Sequence, residues 1–341
     1  MMDVLVIGGG MAGLRAATLR AAAGDAVTIV DKGRRHGGRM ATRRVDDATF
    51  DTGALDLTAH GPRFLAAVDG WVLDGIAAGA PGSPARWRGR PTMRSLPEAL
   101  AARSGAGVRL ATTVTAVGVE DGRWTVEVST ADTTAETTLA ADALVVTTPA
   151  PQALALLGGD DDADESASPA RITERTRALL AAVTYAPSLT VLVRPPDRDG
   201  DGDALADCGP EALVGTDLAR VHRNDRAGAS PTVALTLQAT VAFSAAHLDG
   251  DRAAAGVILA AHASELVGAP LEVVHVHGWR YAQVVEGIPL PALRDDTSGA
   301  PLVLAGDLFE AHGDAPEGTR PEGIERAFAS GGAAARLLDT V

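Results

Sequence analysis

The chain has 341 residues, 44 acidic and 30 basic, for a formal net charge of −14 at pH 7. That length supports about two domains with substantial cores. The acidic surplus argues against attraction to nucleic acid or anionic lipid and favours small-molecule partners. Cys208 is the only cysteine, so no intrachain disulfide can form, which fits a reducing compartment. No run of about 18 uninterrupted apolar residues occurs, and the glycine-broken start lacks a basic leader. We therefore expect a soluble cytoplasmic protein.

In chain order, residues 4–7 (Val-Leu-Val-Ile) read as a strand buried on both faces of a parallel sheet. Gly8, Gly10 and Gly13 follow with G-x-G-x-x-G spacing, then a helix, a second strand at 27–30 and Asp31. In such a unit the first glycine permits the turn, the second lets backbone approach a pyrophosphate, and the third lets the helix lie on the sheet. Unpaired amides at the helix start favour an anion, and the acid closing the second strand can accept from a ribose hydroxyl. The motif alone leaves NAD and FAD open.

A second glycine pair, Gly37 and Gly38, precedes Arg39; there the backbone can pass close to a cofactor and the guanidinium can neutralise phosphate. Residues 107–130 alternate apolar and polar around Asp121-Gly122, which predicts a hairpin. Residues 158–171 are acidic and aperiodic and read as an exposed linker. Strands are predicted at 188–195, 231–240 and 271–282, with a helix at 253–268. Near the end, a buried strand at 300–307 closes on Gly306 and Asp307, and a helix at 321–338 has Gly323 near its start. An acid at a strand end can bind polyol hydroxyls, and a helix N-terminus can hold the electron-rich edge of a reduced ring.

Metal binding is not expected. Residues 197–208 alternate acids like the start of a calcium loop, but Cys208 stands where the bidentate glutamate belongs, and a strand pattern precedes the segment where a helix is required. His275 and His277 share a strand face without an apparent third ligand, which favours histidines lining a pocket. No G-x-S-x-G nucleophile elbow is present.

Together, the first glycine motif, the Gly-Gly-Arg segment and the C-terminal Gly-Asp resemble the FAD-dependent amine oxidase-like superfamily, most closely its bacterial renalase-like branch. Residues 143–157 are similar to that family's returning strand, and 277–281 (His-Gly-Trp-Arg-Tyr) to a renalase-like signature. The resemblance implies an α/β fold: a Rossmann-type FAD-binding domain of the GR2, amine oxidase-like kind, with an interleaved α+β substrate domain built on a mixed sheet. Residues 1–60, 90–155 and 296–341 would form the FAD domain, and 61–89 with 156–295 the substrate domain. A small antiparallel meander would follow residue 107, and the strands after 188 would roof the flavin.

By the same resemblance, Gly8, Gly10, Met11, Ala12 and Gly13 hold the pyrophosphate of non-covalent FAD, and Asp31 the adenosine ribose. Lys32, Gly37, Gly38, Arg39, Met40, Gly53, Ala54, Val114 and Thr148 line the cofactor. Gly306 and Asp307 meet the ribityl chain and pyrophosphate, and Gly323 and Ile324 present amides to the isoalloxazine. Trp279 walls the pocket, while Arg280 and Tyr281, alternating on the strand, bind substrate or fix the wall.

Amine oxidases of this superfamily commonly carry a lysine near the flavin on a substrate-domain strand. Here Lys32 is the only lysine, and it sits just past the ribose acid. A dihydropyridine donor needs less help, because loss of hydride restores an aromatic ring without proton abstraction from carbon. The resemblance thus implies oxidation of misreduced dihydronicotinamide isomers, with oxygen as acceptor. A flavin amine oxidase or desaturase of a secondary metabolite, and an FAD-binding protein with little turnover, are the competing readings. Renalase-like relatives continue from Phe-Asp into histidine, Gly-Ala, glutamine and aromatic residues. This chain keeps Phe50, Asp51, Gly53 and Ala54 but has Thr52, Leu55, Asp56 and Leu57, which puts the substrate and the oxidase activity in question. With 3% aromatic residues, a multi-ring cage for an ammonium group is not expected.

Overall fold

The computed structural model describes residues 1–80, 85–130, 133–158, 172–196, 208–316, 318–319 and 321–339. The opening apolar run forms β1 (Asp3–Ile7), the glycine turn feeds α1 (Met11–Ala22), and the chain returns through β2 (Ala26–Val30). A hairpin of β3 (Thr42–Val45) and β4 (Ala48–Asp51) leaves the sheet. It is followed by β5 (Leu57–Thr58), α2 (Pro62–Leu73), β6 (Ala77–Gly79), β7 (Arg86–Gly89), α3 (Ser95–Ser104) and β8 (Gly107–Arg109). Next come a meander of β9 (Thr112–Glu120), β10 (Arg123–Thr130) and β11 (Thr133–Ala141), then β12 (Ala143–Val146), α4 (Ala150–Leu157) and α5 (Glu174–Ala181). The second half holds β13 (Thr184–Arg194), β14 (Leu218–Arg223), β15 (Leu235–Ala239), α6 (Val241–His247), α7 (Arg252–Val267) and β16 (Glu272–Glu286). The chain closes with β17 (Leu293–Asp295), β18 (Leu302–Leu304) and α8 (Gly323–Leu337).

Six strands form the main sheet in the order β17-β18-β12-β1-β2-β8. β1 is central and pairs in parallel with both β2 and β12, which explains its unbroken apolar sequence. α1 and α8 lie together on one face. Gly13 is required there, since a Cβ would fall 2.0 Å from the Gly8 carbonyl oxygen. The other face packs Leu5, Leu144 and Leu304 against the meander residues Trp124 and Val126. At the tip of the meander, Asp121 and Gly122 both take the left-handed conformation that a two-residue hairpin turn requires.

Two expectations are corrected. Residues 107–109 are not part of the hairpin: as β8 they pair in parallel with β2, and Ala111, at φ 49°, breaks the chain from β9. The mixed sheet is the main one, not that of the second unit. β17 and β18 are joined by a short loop, so β17 must return antiparallel, whereas every pairing of the second sheet is antiparallel.

That second sheet runs β14-β15-β13-β16. Its outer face (Leu189, Val191, Val193, Leu235 and Leu237) packs on Phe243 of α6 and on Leu259 and Ala263 of α7. By register its inner face is polar: Arg220, His222, Thr236, Gln238, Ser188, Thr190, His275, His277 and Trp279. The strands at 188–195, 231–240 and 271–282 and the helix at 253–268 thus appear as β13, β15, β16 and α7. Most of the acidic linker and of the calcium-like segment, residues 159–171 and 197–207, lies outside the described residues. Among the described residues no helix is long and apolar enough to cross a membrane, and no cluster of three or more metal-ligating side chains forms.

Candidate active site

The glycine turn and the Gly-Gly-Arg segment, separate in sequence, are one surface here. The Gly37 amide donates to the Gly9 carbonyl (2.9 Å), and a Cβ on Gly38 would lie 3.9 Å from Gly10 Cα. Gly10 caps α1 without a side-chain hydrogen bond and faces open space, with nothing within 4 Å of where its Cβ would be. The first amides of α1 have no partner within the helix, so a pyrophosphate fits this cradle. Met11 and Ala12, in that first turn, are buried. Asp31 accepts from the amides of Gly9 (2.5 Å) and Gly33 (2.6 Å); the carboxylate is thereby oriented and keeps lone pairs for a ribose hydroxyl.

The remaining segments meet at Arg39. Its guanidinium forks onto both oxygens of Asp307 (2.5 and 2.7 Å) and donates to the Tyr281 carbonyl (3.2 Å). Burial acts to lower the Arg39 pKa, but the Asp307 carboxylate outweighs it and holds the guanidinium above its ordinary value. A Cβ on Gly323, at the start of α8, would lie 3.5 Å from Asp307. Gly306 is fixed by its amide donating to Ser330 Oγ (3.0 Å). The Ala54 amide donates to the Arg39 carbonyl (2.9 Å), and Gly53 passes so close that a Cβ would sit 1.9 Å from that oxygen. Of the other predicted cofactor residues, Met40 is buried beneath the loop and Lys32 is exposed. Ile324 packs on the core, and Thr148 has a buried hydroxyl with no hydrogen-bond partner among the described residues. Val114 pairs with Val128 in the meander.

The second sheet reaches this groove through the segment 51–56, the stretch in which the chain departs from its renalase-like resemblance. Trp279 Nε1 donates to the Thr52 carbonyl (2.8 Å), Gln238 Nε2 to the Gly53 carbonyl (2.7 Å) and Thr236 Oγ1 to the Asp51 carbonyl (2.8 Å). Asn224 Oδ1 accepts from the Asp51 amide (2.9 Å). Asp56 is paired with both Arg86 (2.8 Å) and Arg220 (2.5 Å). At about 0.5–1.5 kcal/mol each, the four side chain-to-backbone bonds fix the loop that borders Arg39. Gln238, Thr236, Asn224 and Arg220 escaped the sequence reading. The available signal was Thr236 and Gln238 alternating within an otherwise apolar strand, which put a polar pair on one face.

Of the three residues predicted to act on substrate, the structure brings two to the groove. Trp279 lies against Gly53, and Tyr281 stacks edge-on with Tyr185 at 5.2 Å between ring centroids. Arg280 is not brought there: it points to the opposite face of β16 and is ion-paired with exposed Asp249, because strand alternation separates it from both neighbours. His277 packs edge-on against Trp279 at 4.3 Å. Four rings therefore lie on β13 and β16 as two edge-on pairs. Burial pushes the Tyr185 phenol up to about 12. It also lowers the pKa of His277, aided by His275, Arg43 and Arg252.

Two segments of the chain match known families. Residues 6–69 match the family model of the NAD(P)-binding Rossmann-like domain, and residues 79–194 match flavin-containing amine oxidoreductase. Over these two segments the chain resembles the FAD-dependent amine oxidase-like superfamily. FAD is the cofactor that this family and the dinucleotide-binding segment imply. A hydroxyneurosporene desaturase from Rubrivivax gelatinosus is 42% identical over 77 residues, a match spanning 23% of this chain and only 13% of the desaturase. A candidate protoporphyrinogen oxidase from an Exiguobacterium species has the same fold with a TM-score of 0.69 at 13% identity, covering 99% of this chain and 98% of its own. An oxidoreductase from Methanosarcina mazei gives 0.59 at 12% identity, over 95% and 99%.

Proposed function

We propose that this protein is an FAD-dependent oxidase of the renalase-like kind, which takes a hydride from a dihydronicotinamide isomer or a similar small donor, with oxygen as the final acceptor. The observation that carries this reading is the meeting of Gly10, Gly38, Arg39, Gly53, Asp307 and Gly323 along one groove, with Trp279 closing its side. When bound, FAD supplies a hydride acceptor that oxygen can regenerate. The α1 amides would hold its pyrophosphate, Asp31 its ribose, and Arg39 with Asp307 its ribityl and phosphate oxygens. Gln238 and Trp279 keep the 52–53 carbonyls in place, and Trp279 excludes water.

The choice of donor rests on the absence of a lysine from the groove. No lysine is there, since Lys32 is the only one in the chain. Asp51 is buried, and its oxygens are occupied by Thr42 and Met93. A donor that gives up hydride without losing a proton from carbon suits such a site. The division into interleaved FAD and substrate domains, with residues 1–60, 90–155 and 296–341 in the first, is part of this reading; the separation of the parallel-dominated sheet from the β13–β16 sheet supports it. A cytoplasmic location and a small-molecule substrate belong to it as well, supported by the lone cysteine and the acidic surface.

The test is stopped-flow mixing of FAD-loaded protein with borohydride-derived dihydronicotinamide isomers. Bleaching of the flavin band by at least one isomer is expected, and no bleaching by any of them ends the proposal. A parallel panel of amines and cyclic substrates separates the amine oxidase or desaturase reading. Slow reduction by every donor leaves an FAD-binding protein with little turnover.

A further inference from the structure

A second cavity, of about 40 Å³, lies where α1, the start of α2, the loop at 312–314 and α8 meet, and none of the cofactor residues lines it. Arg15, Arg63 and Arg336 line it together with Phe64, Phe328 and the acids Asp314 and Glu325. The carboxylates at its rim are already engaged. Glu325 accepts from the Gly61 amide (2.7 Å) and from the His60 amide and ring (3.1 and 3.0 Å), and Asp314 accepts from the Arg63 amide (3.1 Å) and pairs with its guanidinium (3.6 Å). Arg15 instead lies over the Phe328 ring at 4.4 Å, and neither it nor Arg336 has a carboxylate partner among the described residues.

Arg15, partly buried and without a carboxylate partner among the described residues, lies beside Arg336, which has none either, an arrangement that a bound anion would relieve. Burial, followed by Arg336 and Arg63, lowers the Arg15 pKa, which is consistent with that field. In size the cavity holds about three waters. Planar guanidinium forks match the oxygen spacing of a phosphate-type anion.

We infer that this cavity is a binding site for a phosphate-type oxyanion, free or as the terminal group of a small metabolite, held by Arg15 and Arg336 with Arg63 at the rim. The inference is independent of what the flavin oxidises. The experiment is isothermal titration of inorganic phosphate, and separately of glycerol 3-phosphate, into protein saturated with FAD so that the dinucleotide cradle is filled, at matched ionic strength. Saturable binding of phosphate is expected, weakened at least tenfold in Arg336→Gln and in Arg15→Gln. The Arg336 side chain is exposed, so its variant should fold even where the Arg15 variant does not. Binding of both probes assigns the pocket to a phosphorylated metabolite, and binding of inorganic phosphate alone assigns it to the free anion. No saturable heat from either probe, or equal binding in Arg336→Gln, overturns the assignment.

Discussion

Asp51→Asn should remove a specific part of the protein's pH dependence. The Asp51 side chain is 4% exposed, accepts from Thr42 Oγ1 (2.7 Å) and receives the Met93 amide at 3.1 Å on both oxygens. Burial raises its pKa from the ordinary 3.8 to about 6, and the hydrogen bonds from Thr42 and Met93 only partly oppose it. The sign follows from where the proton is held. The folded state keeps it to higher pH than the unfolded chain, so the stabilising contribution is complete below about pH 4 and is lost as pH rises through about 6. At about 1.4 kcal/mol per pKa unit, two units amount to roughly 3 kcal/mol. Asparagine has no proton to lose, so the stability difference between wild type and variant should change by about 3 kcal/mol between pH 4 and pH 7, to the variant's advantage at the higher pH. An amide nitrogen left without an acceptor would cost about 1–3 kcal/mol, but equally at every pH. Reversible urea unfolding followed by circular dichroism across that range gives the comparison. A wild type-to-variant difference that stays flat with pH would refute the reasoning.

Four further substitutions test the groove and the packing of α1. Asp31→Ala leaves the Gly9 and Gly33 amides without their acceptor and removes the proposed ribose partner, so FAD should bind about ten- to a hundredfold more weakly in a fluorescence titration. Gln238→Leu and Trp279→Phe each remove one donor to the 52–53 backbone while keeping bulk; each should cost about 1 kcal/mol in denaturant unfolding and alter the circular dichroism of bound flavin. Gly13→Leu cannot be accommodated with a Cβ 2.0 Å from the Gly8 oxygen, and soluble expression with normal flavin content would contradict the α1 packing described above.

Legibility in the sequence followed the distance between the residues concerned. The strand, glycine turn, helix, strand and acid from Asp3 to Asp31 were readable because every constraint acts within a few turns of chain, and the fold realises them as β1, α1 and β2. The alternation in β10, β13, β15 and β16 likewise announced strands. The placement of Arg280 was not readable. The alternation that put it beside Trp279 and Tyr281 in sequence sends it to Asp249 in space, and only the knowledge of which face meets the groove decides between them. The Tyr185–Tyr281 pair was hidden for the same reason, since it needs β13 docked beside β16, whereas His277 and Trp279 are neighbours on one face of β16.

By itself, then, the amino-acid order determined a Rossmann-like unit with its glycine turn and closing acid, and a set of strands with one polar face. Tertiary structure alone decided that this polar face closes on residues 51–56, where Asn224, Thr236, Gln238 and Trp279 take up backbone groups more than 170 positions away. The physical reason is that a buried amide or carbonyl must find a partner, and which partner it finds depends on how two sheets are docked, a quantity that no local pattern encodes.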